Sequence, residues 1–166
     1  MSRVLLIAYG NPLRGDDGVG WRVAQALQEA GLAPGVDLIT AQQLSPEMAS
    51  PLSCAGVAIF VDADARGTPG VVQCAPVEAT HYGDLASHHL DPQSLLECCQ
   101  LLYSHAPQAF AVTIAGASFG HCEQLSSAAE AAIPSAVAAI RDLIGKQIAR
   151  SRNSLDRPPT THLHFS

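Results

Sequence analysis

The chain has 166 residues, of which 48% are hydrophobic and 14% charged, and its formal net charge at pH 7 is -6. This length and apolar content suit one folded domain with a single core and exclude a disordered chain. The acidic balance argues against nucleic acid and anionic membranes as partners, because both attract basic patches. No apolar run is long enough to span a bilayer, and residues 4–8 are too short for a signal peptide, so we expect a cytoplasmic protein.

The five cysteines do not form a recognisable framework. Their number is odd and no C-x-x-C pair is present, which argues against a disulfide scaffold and against a closed structural zinc site. Each lies among apolar neighbours, so we expect all of them to pack as small core residues.

The first segments of the chain alternate between strand and helix. Residues 3–8 (RVLLIA) form a continuous apolar run, which is typical of a buried parallel strand. A loop rich in Gly, Asn and Pro follows at residues 10–17. Apolar residues then repeat at helical spacing over residues 18–30, and Gly31 ends this helix.

The second quarter of the chain continues this alternation. Residues 36–40 (VDLIT) predict a strand, and residues 46–53 predict a helix that begins with a proline. Residues 56–61 (GVAIFV) are typical of a central strand. Residues 70–76 predict a further strand, which we place at an edge of the sheet in antiparallel orientation.

A polar, His-rich loop at residues 78–89 separates these strands from the next helix. Asp91 and Pro92 are a strong helix start, with Asp as the N-cap and Pro at the first position. The apolar stripe predicted for this helix consists of Leu95, Leu96, Cys99 and Leu102.

The last third of the chain predicts one more strand and a long helix. Residues 109–115 (AFAVTIA) form the strand, and residues 126–150 form an Ala-rich helix in which Pro134 is expected to cause a bend or a restart. We therefore predict an α/β three-layer sandwich over residues 1–150, with a mainly parallel, twisted sheet of about five strands between helices. Residues 151–166 are predicted to be a flexible tail.

Acidic side chains follow two of the predicted strands. Asp16 and Asp17 lie in the first loop, and Asp62 and Asp64 follow the strand at residues 56–61. Ligands of open α/β sheets bind at the carboxyl ends of strands. The chain has neither a P-loop nor a G-x-G-x-x-G pattern, and paired carboxylates would repel a phosphate, so a divalent cation fits these loops better.

A histidine pair supplies the third candidate ligand. His88 and His89 precede the helix that begins at Pro92. Histidine together with carboxylates favours zinc, nickel, iron or cobalt over calcium or magnesium, and three protein ligands would leave one position open. Each residue also has a simpler interpretation, since Asp16 or Asp17 can tighten the loop or cap the first helix, and Asp64 can be a solvated acid beside Arg66. The histidines at positions 81, 105 and 121 are expected at the surface.

Four blocks of the sequence, in order, resemble the hydrogenase maturation endopeptidases. The first block, LLIAYGNPLRGDDGVG, is similar to the strand and G-N-x-L-x-x-D-[DE]-x-x-G loop that open those enzymes. The later blocks are IFVDADARGTPG, SHHLDPQSLL and FAVTIAGASFGHCEQLS. Together they cover roughly residues 4–145, and the ordered set is more specific than any single block.

The resemblance implies a nickel-dependent endopeptidase that removes the C-terminal extension of a nickel–iron hydrogenase large-subunit precursor after nickel insertion. In that family the nickel belongs to the substrate and is not a permanent cofactor. The residues that would meet it are Asp17, where many relatives have Glu, Asp62, and His88, with His89 as the alternative under a one-residue shift.

Two other functions compete with this interpretation. One is a non-catalytic nickel chaperone or metal-responsive binding module on the same fold. The other is a general metallo-aminopeptidase, which we rank lower because few residues are available for a two-metal site. For the endopeptidase we expect a monomer whose partner is the hydrogenase precursor.

Overall fold

The computed structural model describes residues 3–79 and 90–155. The strands are β1 (Val4–Tyr9), β2 (Val36–Ala41), β3 (Val57–Asp64), β4 (Val72–Val77) and β5 (Gln108–Ala115). The helices are α1 (Val19–Ala30), α2 (Ala49–Ser53), α3 (Pro92–Tyr103) and α4 (Ser127–Leu155), and short 3-10 turns at Gly15–Gly18 and Pro46–Met48 precede α1 and α2.

The five strands form one sheet in the order β2-β1-β3-β5-β4. Neighbouring strands are parallel except β4, which pairs with β5 in antiparallel orientation at the edge. The predicted α/β fold with a mainly parallel sheet is confirmed, and so is the antiparallel edge strand. The chain goes from β1 to β2 on one side and then returns to β3 on the other, so the topological switch point lies between β1 and β3.

Alternate residues of each strand build a separate core on each face of the sheet. One face packs against α1 and α4, and its strand residues include Leu6, Ile59 and Ile114. The other face packs against α2 and α3, and its strand residues include Ile7 and Phe60. This period-two alternation between two apolar faces is what a sheet covered by helices requires.

Helix α3 begins as predicted, because the Asp91 carboxylate accepts a hydrogen bond from the Ser94 amide at 2.8 Å and Pro92 follows the cap. Leu95, Leu96 and Cys99 are buried, but Leu102 is 68% exposed. The predicted stripe was therefore wrong at its last residue, which belongs to the final turn of the helix.

Three further expectations need correction. Pro134 does not restart the last helix, because α4 continues through it. The same helix runs to Leu155, so the first residues of the predicted tail are helical, whereas residues 156–166 lie outside the described part of the chain. Of the five cysteines only Cys99 is buried, and Cys54, Cys74 and Cys122 are exposed, because local apolar neighbours do not decide which side of a strand or loop faces the core.

Among the described residues, no helix is both long and apolar enough to cross a membrane.

Candidate active site

The crevice at the switch point lies beside Tyr9, the last residue of β1, and Asp62, near the carboxyl end of β3. Both side chains are half-buried. Asp62 was expected just after its strand, but β3 continues to Asp64, so Asp62 is held within the sheet. The loop after β1 brings Asp17 to the same place, since its charge acts on both Asp62 and Tyr9.

Asp17 is fixed by the tight course of the first loop. Its carboxylate accepts a hydrogen bond from the Asn11 amide at 2.7 Å. Gly10 has a φ of 140°, and a Cβ at this position would lie 2.0 Å from the Asp17 carbonyl oxygen. Only glycine allows this close approach of the two ends of the loop. The Trp21 indole of α1 donates a hydrogen bond to the Gly10 carbonyl at 2.8 Å and so holds the same turn.

Asp62 has an unusual ionisation. Burial and, to a smaller extent, the negative charges of Asp17 and Asp64 raise the pKa of its carboxyl from 3.8 to about 7. Hydrogen bonds from the Ala63 amide and the Tyr9 hydroxyl act in the opposite direction but do not offset the burial. The Ala63 amide lies 2.7 Å from the Asp62 oxygen. A carboxyl that titrates near neutrality can exchange its proton for a cation or act as a general base.

Tyr9 is a site residue that the sequence interpretation missed. The pKa of its hydroxyl is raised well above the usual range. Burial is the largest cause, the charge of Asp62 is the next, and the charges of Asp91 and Asp17 add smaller contributions. The hydroxyl therefore stays protonated and lies near enough to Asp62 to stabilise its charged form. The sequence does contain a signal for Tyr9 in its position on β1. Tyr9 follows Leu5 and Ile7 on the same face of the strand and so places a polar group at the end of an apolar row.

Asp16 has a structural role different from the predicted ones. It is fully buried, and α1 has no side-chain cap. Its carboxylate instead accepts hydrogen bonds from the Ala117 amide at 2.7 Å, the Ser118 amide at 3.1 Å, and the amide and hydroxyl of Ser126, both at 2.7 Å. Burial opposes ionisation, but these hydrogen bonds, led by those from Ser126, leave the pKa of Asp16 below its ordinary value.

Backbone contacts join the same two loops. The Gly15 amide donates to the Cys122 carbonyl at 2.6 Å, and the Cys122 amide donates to the Leu13 carbonyl at 3.1 Å. A Cβ at Gly116 would lie 2.7 Å from the Asp16 Cβ, so glycine is needed there for close packing. The loop between β5 and α4 therefore holds the first loop in place and, through it, Asp17.

Of the remaining candidates, Asp64 lies beside this cluster, since its charge also raises the pKa of Asp62. Asp64 accepts a hydrogen bond from the Arg66 amide at 2.9 Å, and the Arg66 side chain is 95% exposed, as expected for a solvated pair. His105 and His121 are exposed, as predicted.

The histidine pair lies outside the described residues. His88 and His89 belong to residues 80–89, so their role as ligands stays a prediction, as does the surface position of His81. Of the other two predicted ligands, Asp17 lies near enough to Asp62 for its charge to raise the pKa of Asp62, and their role as ligands also stays a prediction. Over residues 3–79 and 90–155, no group of three or more His, Cys, Asp or Glu side chains is arranged to hold a metal ion.

No protein-family model matches the sequence, and no curated protein sequence matches it significantly. Solved structures do match. HybD, a hydrogenase maturating endopeptidase from Escherichia coli, superposes with a TM-score of 0.73 at 20% identity, covering 87% of this chain and 93% of its own. The NiFe hydrogenase maturation protease HycI from Thermococcus kodakarensis gives a TM-score of 0.69 at 21% identity, with coverage of 87% and 93%. At these identities both show the fold.

A third structure is closer in sequence. The hydrogenase 2 maturation peptidase from a Thaumarchaeota archaeon is 26% identical, with a TM-score of 0.66, and the match covers 86% of this chain and 98% of that one. This similarity extends over nearly the whole peptidase and agrees with the ordered sequence blocks. The chain is thus similar in fold and, over most of its length, in sequence to the hydrogenase maturation endopeptidases.

Proposed function

We propose that the protein is an endopeptidase that removes the C-terminal extension of a nickel–iron hydrogenase large-subunit precursor after nickel has been inserted. The observation that supports the proposal is that Asp17 lies near enough to Asp62, at the switch-point crevice, for its charge to raise the pKa of Asp62. The described neighbours with this fold are maturation peptidases of hydrogenases, which supports a protease role in the same process.

The nickel is proposed to arrive with the substrate and to meet Asp17, Asp62 and His88, with His89 as the alternative to His88. Asp62 supports this role because a carboxyl with a pKa of about 7 can release its proton when a cation approaches. Asp17 adds a second negative charge at the same crevice. The described chain resumes at Leu90, and Asp91 acts electrostatically on Tyr9, so the start of α3 lies near the site.

The chemistry proposed for this arrangement is hydrolysis of one peptide bond. The substrate nickel would position the scissile peptide and polarise its carbonyl or a water molecule. One carboxylate would then serve as general base, and Asp62 is the better suited of the two because its pKa lies near the working pH. Tyr9 would orient Asp62 through its hydroxyl.

The test is cleavage of candidate precursors, each prepared with and without nickel, followed by mass measurement of the released peptide. Replacement of Asp17, Asp62 or His88 by Ala should reduce cleavage at least about 100-fold, the scale for loss of a group that stabilises the transition state. His89→Ala separates the two histidine assignments. Asp142→Ala is the matched control, because Asp142 is an exposed acid on α4 paired with Lys146. Normal cleavage by all the site variants would contradict the assignment.

A nickel chaperone on the same fold is the main alternative function, and its affinity for the free ion would distinguish it. Calorimetry with nickel alone should show weak binding for the endopeptidase and useful affinity for a chaperone, which would cut nothing. A general aminopeptidase would instead cleave short peptides without any precursor. The cytoplasmic location and the monomeric state stay predictions from the sequence.

A further inference from the structure

A row of polar side chains runs across the sheet from the candidate site to the edge. The register pairs Asp62 of β3 with Thr113 of β5, and Thr113 with Gln73 of β4. Tyr9 continues the row on β1, one residue beyond the pair Ala8 and Val61. Paired residues on neighbouring strands project from the same face, so all of these lie on the face that packs against α2 and α3.

The outer half of this row opens into a small cleft. Thr113 and Gln73 line it together with Asp64, Arg66 and Thr68, and its cavity volume is about 40 Å³. Thr113 is half-buried and Gln73 is exposed. The cleft is small, so it suits a single peptide group that lies over it and excludes a large organic ligand.

We propose that Thr113 and Gln73 form a subsite that binds the extended backbone of the substrate next to the scissile bond. The proposal rests on the proposed function and names how the same site holds its peptide. A hydroxyl and a carboxamide each donate and accept hydrogen bonds, which matches the donor and acceptor of every peptide unit. Neighbouring strands are about 4.8 Å apart, so the row from Tyr9 to Gln73 spans about 14 Å, the length of about four extended residues.

The position of the row also agrees with this role. It begins at Asp62, the carboxylate proposed to meet the substrate nickel, and it ends at β4, the edge of the sheet. A peptide lying along it would cross the strands and leave the protein beside the exposed Arg66 side chain. Thr113 and Gln73 would thus act as binding residues that do not touch the reacting atoms.

The experiment measures steady-state cleavage of the nickel-loaded precursor by the variants Thr113→Val and Gln73→Leu. Each change removes the hydrogen bonds of one side chain, so KM should rise about 2- to 10-fold while kcat changes less than about 2-fold. The double variant should show a larger rise than either single one. Thr113→Ser keeps the hydroxyl and should restore a KM close to that of the wild type, which a purely packing role would not predict.

The controls are Thr40→Val and Gln108→Leu, which make the same chemical changes outside the row. Thr40 lies on β2, and Gln108 lies at the opposite end of β5. Both should leave KM unchanged, and thermal unfolding verifies that every variant is folded. If the wild type releases no peptide from any precursor, the proposed function fails and the subsite falls with it. If the wild type cuts but Thr113→Val and Gln73→Leu keep its KM, the subsite alone is wrong.

Discussion

Asp16 and Asp62 both lie at the carboxyl ends of the parallel strands, yet their surroundings shift their pKa values in opposite directions. Asp16 is fully buried but accepts four hydrogen bonds from Ala117, Ser118 and Ser126, and its pKa is lowered. Asp62 is less buried, but burial still dominates over its hydrogen bonds from Ala63 and Tyr9, and its pKa is raised to about 7. The number of donors, rather than depth alone, decides the charge state of each acid.

The two acids divide the work of the site. Asp16, whose pKa is lowered by its hydrogen bonds, ties the first loop to the loop before α4, which gives Asp17 a fixed position. Asp62 lacks such a set of donors and therefore has capacity left for a cation or a proton. The stable frame and the reactive group are thus built from the same residue type, and three changes can test this division.

The largest effect on stability is expected from Asp16→Ala. Loss of the carboxylate leaves the amides of Ala117, Ser118 and Ser126 without their buried acceptor, so the free energy of unfolding should fall by about 3–5 kcal/mol. Urea unfolding at pH 7 measures it. Asp17→Ala is the matched neighbour and should cost less than about 1.5 kcal/mol, since Asp17 accepts one amide hydrogen bond, from Asn11. Equal losses for the two variants would contradict the division of roles.

The next effect is a pH dependence carried by Asp62. The pKa of Asp62 is raised from 3.8 to about 7 in the folded protein. The protonated carboxyl therefore contributes stability that is fully present below pH 3.8 and is lost as the pH rises through 7. Asp62→Asn removes that loss. The variant should match the wild type near pH 4 and exceed it by about 4 kcal/mol at pH 8, since each unit of the shift from 3.8 to about 7 corresponds to about 1.4 kcal/mol.

Urea unfolding at pH 4, 6 and 8 without added metal gives the comparison. The two stability profiles should diverge as the pH rises, and parallel profiles would show that Asp62 ionises normally. The same series on wild type and Asp16→Ala should diverge in the opposite sense. Asp16 has a lowered pKa, so its contribution is present above pH 3.8 and is lost as the pH falls through its folded pKa.

The smallest effect is expected from Tyr9→Phe. The Tyr9 hydroxyl lowers the pKa of Asp62 by hydrogen bonding to its charged form, so its removal should raise that pKa further above 7. One hydrogen bond is worth about 1 kcal/mol, and the rise should therefore be less than about one unit. Carbon NMR of the labelled Asp62 carboxyl follows the titration. A downward shift would mean that Tyr9 only packs against Asp62.

The layered α/β architecture of this protein follows from its sequence pattern. Apolar runs alternating with helical periodicity sufficed for a mainly parallel sheet, because strands buried on both faces require such runs. Local chemistry also sufficed where one or two residues decide the structure. The cap of α3 formed by Asp91 and Pro92 is an example, since it depends on atoms only three residues apart. The assignments of Asp17, Asp62 and His88 as ligands rest mainly on the family resemblance, and all three stay predictions.

The tertiary structure alone decided which residues surround the crevice. Asp16 bonds to residues about a hundred positions away along the chain, and no local pattern distinguishes this from a helix cap. The row from Tyr9 through Asp62 and Thr113 to Gln73 exists only because the strand register aligns four separate segments. Periodicity shows which residues of a strand share a face, but the order and register of strands depend on packing between distant segments. For that reason the sequence indicated the acids of the site, and the fold determined their charge and their neighbours.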